Sequence, residues 1–176
     1  MSFPRLQTSQ SRLNIQWGRA PDGDTYGVET LADALEHMAR RSEGKPLLVN
    51  RQSDARDDKV KALYTAALNS ERFALASQWF HCIKVGDEVL HESHPLHELF
   101  ADKEPAALEL VSSDGKDRVA FLSTTRDKVK WAPIAKVLKT AYRKNPTTAV
   151  KELEKLLCEF DMLDGKENEL KAQIAR

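Results

Sequence analysis

The period of the apolar positions changes several times along the chain, and each change marks an element. Leu13, Ile15 and Trp17 alternate with Asn14 and Gln16, the period of a short edge strand. Val28, Leu31, Leu35 and Met38 then recur at spacings of three and four, which gathers them on one face of a helix. Thr30 followed by Asp33 predicts a capping box at its start, and Gly44 predicts its stop. Pro46-Leu47-Leu48-Val49 is a continuous apolar run, the signature of a strand covered on both faces. Ser53 or Asp54 can cap a second helix presenting Val60, Leu63, Tyr64, Ala67 and Leu68. Asn69-Ser70 breaks it, and Phe73, Ala76 and Trp79 give a shorter helical piece before a second strand over 80–85.

The second half has the same clarity. Apolar runs over 105–111 and 117–122 flank Ser113-Asp114-Gly115-Lys116, and Asp-Gly between two such runs predicts a β-hairpin. Ile134, Val137, Leu138, Ala141 and Tyr142 form one helical face, which Asn145-Pro146 closes while opening another helix. Val150, Leu153, Leu156, Leu157 and Phe160 line that last helix, expected to stop near Gly165. The charged tail beyond it, with Leu170 and Ile174, then adds a final turn or two. The order is strand, helix, strand, helix, strand, hairpin, helix and helical tail, so the class is α/β. A β-α-β portion implies parallel strands joined right-handedly, and the hairpin adds antiparallel ones. Met38, Tyr64, Phe73, Trp79, Phe121 and Phe160 all sit at core spacings and ask for no cofactor.

Composition removes whole classes. The 176 residues are 41% hydrophobic and 31% charged, neither a disordered polyelectrolyte nor a fibre. Lysines and arginines number 27 against 27 carboxylates, which excludes a generally basic nucleic-acid coat. No apolar run approaches the ~20 residues of a membrane span, and the polar opening lacks the apolar region of a secretion signal. Cys82 and Cys158 form no C-x-x-C pair and read as reduced, buried residues. The expectation is a cytoplasmic protein without contact with membrane.

Trp17, Glu43-Gly44-Lys45-Pro46-Leu47-Leu48-Val49, Leu68-Asn69-Ser70-Glu71, the strand at 80–85 and Glu104-Pro105 before the hairpin form a recognisable series. In that series the chain resembles the thioredoxin-like family over about residues 14–144. The resemblance implies a three-layer α/β/α sandwich with a mixed sheet. Residues 1–13 then form an N-terminal extension and 145–176 an added C-terminal helical extension. It also implies redox cysteines near positions 56 and 59, where this chain has Arg56-Asp57-Asp58-Lys59. Disulfide exchange needs an activated thiolate and a resolving partner, and neither is supplied there. The expected protein is therefore redox-inactive, not a disulfide oxidoreductase, without cofactor, and acts as a protein-binding or scaffold module. The family holds extended peptides beside the first helix and the proline, which is cis in that family, and this marks Asp54, Arg56, Lys59, Glu104 and Pro105 as candidate protein-binding residues. A protein partner, a second copy of the chain included, is the expected ligand.

Other constellations stand beside that reading. His91, His94 and His97 recur every three residues with Glu92 and Glu98 nearby, which gives the alternative of a metal-binding protein or metal-dependent enzyme. Pro95 interrupts any helix that would align them, and the plainer reading is a solvated loop leading into core-facing Leu96, Leu99 and Phe100. Residues 126–144 hold seven bases against Asp127 alone. Without interleaved stacking aromatics they read as the wet side of an amphipathic helix, and nucleic acid is not an expected partner. The next helix answers with Glu152, Glu154, Glu159, Asp161, Asp164, Glu167 and Glu169, so pairing within or between copies is expected. Asp54, Asp57 and Asp58 suit a helix start electrostatically and need no catalytic role.

Overall fold

The computed structural model describes residues 13–21, 27–52, 63, 70–122 and 130–175. Among them run five strands and four α-helices: β1 (Gly18–Arg19), α1 (Leu31–Arg41), β2 (Leu47–Arg51), α2 (Glu71–Ser77), β3 (His81–Val85), β4 (Leu108–Val111), β5 (Arg118–Phe121), α3 (Trp131–Tyr142) and α4 (Pro146–Ile174). Short 3₁₀ turns at Asp87–Leu90 and His97–Leu99 carry the chain from β3 toward β4. The strands make one mixed sheet in the order β1-β3-β2-β4-β5. β1, β3 and β2 are parallel, and β4 and β5 are antiparallel to their neighbours. The fold is α/β, as the pattern predicts. No helix among the described residues is long and apolar enough to cross a membrane.

Register decides which side chain meets which layer. Leu48 lies opposite Cys82 on one side and Leu110 on the other, and all three point into one core. Phe73, Ala76, Ile134, Val137 and Leu138 of α2 and α3 close that core together with Leu63. Leu47, Val49, Ile83 and Val111 point the opposite way, onto Ala34, Leu35 and Met38 of α1 and onto Val89, Leu96 and Phe100. Every residue of β2 is buried, so the strand is covered on both faces and paired along both edges. The Leu47-Leu48-Val49 run needs that environment, since strict alternation would have exposed one face.

Local signals are honoured where they are described. Thr30 caps α1 through the Asp33 amide while Asp33 reaches back to the Thr30 amide, a complete capping box. Gly44 follows the helix at φ 76°, and its amide donates to the Ala39 carbonyl. Ser70 caps α2 through the Phe73 amide. In the hairpin turn the Gly115 amide donates to Ser112, at φ 74°. A Cβ at Gly115 would lie 2.8 Å from the Leu35 Cδ1 methyl, which can move aside, so the left-handed φ is what asks for glycine here.

Three expectations change. The alternating residues 13–17 keep their predicted burial rhythm, but ladder pairing begins only at Gly18 and lasts two residues. Ile15 and Trp17 contribute by packing on the core beside α2 and α3. Gly165 does not end the last helix. α4 runs through it to Ile174, because the single glycine costs about 1 kcal/mol and the residues on either side are strong helix formers. Leu156 and Phe160, expected at core spacing, are about half exposed, since the docked side of α4 is Val150, Leu157 and Asp161. Asn145 caps that helix through Thr147, with Pro146 at its first position. Arg72 of α2 holds α4 by a two-pronged bond to Glu154 at 3.0 and 3.2 Å.

One carboxylate lies inside the sheet. Glu109 of β4 is fully buried on the α1 face, where the diagonal strand neighbour Arg118 reaches it at 2.9 Å. The same guanidinium donates to the Glu98 and Leu99 carbonyls and meets Asp102 at 3.2 Å, so it ties the β3–β4 connection to the hairpin. Burial pushes the Glu109 carboxyl above its ordinary pKa, and the Arg118 partner acts against that rise. Arg118→Met strands the carboxyl and is expected to cost about 3 kcal/mol, read from the urea midpoint at neutral pH. A folded form that holds its proton more tightly carries no penalty below the ordinary glutamate pKa and a growing one as pH rises through the folded value. The Arg118→Met deficit should therefore shrink as the solution is acidified. A deficit that grows on acidification contradicts this account of Glu109.

Candidate functional site

Parallel strands leave their carboxyl ends together at one edge of a sheet, where open α/β folds place their ligands. Here β2 ends in Arg51 and β3 in Lys84 and Val85. The chain is fixed at this edge by its own hydrogen bonds. The Arg51 amide donates to the Ala107 carbonyl at 3.0 Å, and the Gln52 amide to Val85 at 2.7 Å. The Arg51 side chain is nearly buried; its Nε donates to the Ala106 carbonyl at 3.0 Å and its guanidinium meets Asp87 at 2.6 Å. One arginine thus clamps the end of β2, the approach to β4 and the first 3₁₀ turn after β3. Sequence reasoning missed it, because an arginine ending an apolar run looks like an ordinary solvent-facing strand end.

That clamp sets the position of Glu104 and Pro105. Ala106 and Ala107 are held on Arg51, so exposed Glu104 and half-buried Pro105 stand immediately beside the carboxyl end of β2. No peptide bond among the described residues is cis, so Glu104–Pro105 is trans, a departure from the resemblance, which implies cis there. Asp54, Arg56 and Lys59 lie outside the described residues. Across the same edge, Lys84 sits over the Trp17 ring at 5.5 Å to its centroid, a cation–π contact that holds the residues before β1 onto β3.

The thiols are placed far from this edge in chemistry. Cys82 lies in β3 beneath α2, and its Sγ is 3.4 Å from the Ser77 carbonyl. Burial pushes its pKa up to about 12, so almost none of it is thiolate at neutral pH. Cys158 is half-buried on α4.

The histidines do not converge. His91 is exposed, while His94 and His97 are half-buried on either side of buried Pro95 and Leu96. His94 spends Nδ1 accepting the Leu96 amide at 3.0 Å, which shapes the turn, and burial lowers its pKa toward the neutral imidazole. Among the described residues no group of three or more His, Cys, Asp or Glu side chains could hold a metal ion. Proline sets the reason. It turns the chain between His94 and His97, so the three-residue spacing is not a shared helical face.

A concavity lies at the elbow between α3 and α4. Arg143 adopts a left-handed conformation, the chain reverses, and a cleft of about 290 Å³ opens among Trp79, Leu138, Tyr142, Pro146 and Ala149, with Lys144 at its rim. The Tyr142 hydroxyl donates to the Trp79 carbonyl at 2.7 Å, and the Trp131 indole donates to Thr147 at 3.0 Å, so the elbow is rigidly tied to α2. No protein-family model and no curated protein matches the chain.

The two cysteines should differ in reactivity. Iodoacetamide at about pH 8 is expected to alkylate Cys158 in the native protein and Cys82 only after unfolding, as read by peptide mass spectrometry. Equal rates at both sites would contradict the buried, high-pKa thiol.

Proposed function

We propose that the chain is a redox-inactive, thioredoxin-like protein-binding module that recognises an extended protein segment at the carboxyl edge of its parallel strands. The observation that carries this reading is a pairing of fold and missing chemistry. Three parallel strands followed by an antiparallel hairpin, with helices over both faces, support that reading, since the resemblance implies a mixed sheet between helical layers. At the positions where that resemblance requires thiols, the chain has Arg56 and Lys59.

A surface without a nucleophile can still bind. Glu104, Pro105 and the Arg51 clamp supply one side of the binding surface; residues 54–59 belong to it only as the resemblance implies. Charge then takes the place of covalent capture. Arg56 and Lys59 favour a segment carrying carboxylates, and charge pairs at such a rim act chiefly on specificity and encounter rate. A scaffold needs no turnover, so the absence of an activated nucleophile is no obstacle to it.

The test has a catalytic arm and a binding arm. Insulin-disulfide reduction is expected to proceed at the uncatalysed rate. In affinity capture, Arg56→Glu with Lys59→Glu is expected to lose the proteins retained by the wild type, at an unchanged melting temperature. Catalysed disulfide exchange overturns the reading, and so does full retention of those proteins by the doubly reversed variant.

A further inference from the structure

α4 is longer than its own domain can use. At 29 residues it spans about 44 Å, yet its buried side chains end at Asp161. Beyond Gly165 every described residue of it is exposed. In proteins most helical stability comes from packing of an amphipathic face, and the described residues give 166–174 no such packing. Its side chains nevertheless keep a strict apolar rhythm. Leu153, Leu156, Phe160, Leu163, Leu170 and Ile174 follow alternating steps of three and four, with Glu167 at the one polar step; of these Leu153 is half-buried against Leu75, Val150 and Leu157 of its own domain. That is a 3.5-residue period, the seam of paired helices rather than the broader face of a helix lying on a globule. Phe160, Leu163, Leu170 and Ile174 are 51%, 60%, 58% and 85% exposed.

We propose that this seam is covered by α4 of a second copy of the same chain, running antiparallel. The inference stands apart from the reading of the 54–59 groove. The charges beside the seam choose both the partner and its direction. Glu159 and Lys166 flank one side; Asp164 and Lys171 flank the other. A parallel pair of copies would set Glu159 against Asp164 of the second copy and Lys166 against Lys171 of the second copy, two like-charge contacts. Reversing one helix removes both. With the twofold axis between Asp161 and Met162, Glu159 faces Lys166 of the second copy, and symmetry repeats the pair. Phe160 then packs on Leu163 of the second copy, and Leu153 on Leu170 of the second copy.

The same register makes use of the elbow. It brings Ile174, the most exposed of the large apolar residues, onto Ala149 of the second copy. Ala149 lines the apolar cleft with Trp79, Leu138 and Tyr142, so the cleft receives the end of the incoming helix. Glu167 falls opposite Leu156 of the second copy while bonded to Lys171 of its own helix at 2.6 Å. A single polar position in an apolar seam lowers affinity and fixes register.

Sedimentation equilibrium of the full chain tests the proposal. The expected result is a concentration-dependent shift from 19.9 kDa to twice that mass. Leu163→Glu, at an exposed site, is expected to return the protein to monomer with its circular dichroism intact. Glu159→Lys and Lys166→Glu are each expected to weaken association roughly fivefold, and their combination to restore it. A mass of 19.9 kDa up to about 1 mM overturns the proposal. So does strengthening by either single reversal, which is the signature of parallel pairing, or association indifferent to Leu163→Glu.

Discussion

β2 is the constraint on which the remaining structure depends. It exchanges backbone hydrogen bonds with β3 on one edge and β4 on the other, and neither face is left to water. A strand in that position cannot slip by one residue. Slippage would carry Leu48 from the α2–α3 core to the α1 core and reverse Leu47 and Val49 in the opposite sense. The positions of α1 on one face and α2 with α3 on the other follow from that alternation. Arg51 then completes the strand, since its side chain ties the end of β2 to Ala106 and Asp87. The edge proposed for binding is thus a direct continuation of the most constrained segment in the molecule.

Much of this organisation is legible in the residues themselves. The Leu47-Leu48-Val49 run, the Thr30–Asp33 box, the Asp114-Gly115 turn and Asn145-Pro146 are local signals, and each element they mark is found. Three features depend on distant partners and leave no local trace. The stretch 13–17 has strand rhythm without a full ladder, because pairing depends on where β3 stands. Glu109 looks like the polar face of a hairpin until Arg118 and the 98–102 segment are brought over it. Arg51 resembles a surface residue until two backbone segments converge on it. For the candidate site the residues themselves show the missing thiols at positions 56 and 59. They do not reveal the arginine that positions Glu104 and Pro105.

The last helix shows how a local rule is outweighed. Glycine disfavours helix by about 1 kcal/mol, and that suggested an end at Gly165. The apolar rhythm of Leu163, Leu170 and Ile174 passes through the glycine without losing phase, and the longer pattern is the one the backbone follows. At its other end α4 is held by two side chains. Arg72 grips Glu154 while lying over the Trp131 ring at 5.6 Å, and Trp131 in turn donates to Thr147. Rigid seating of the first half gives the second half a fixed direction, which a surface for another helix requires.

Charge balance acquires a physical meaning from this geometry. Two copies of any strongly charged protein repel one another, and association between copies must first overcome that repulsion. A chain with 27 cationic and 27 anionic side chains has no such barrier, and it has no long-range attraction either. Screening over about 8 Å at physiological salt confines each charge to its near neighbours. In the proposed pair of copies, selection among orientations then comes from contacts such as Glu159 with Lys166, which lie one helical stripe away from the seam. Where overall charge is zero, the arrangement of charge along one helix becomes the information that distinguishes one pairing from another.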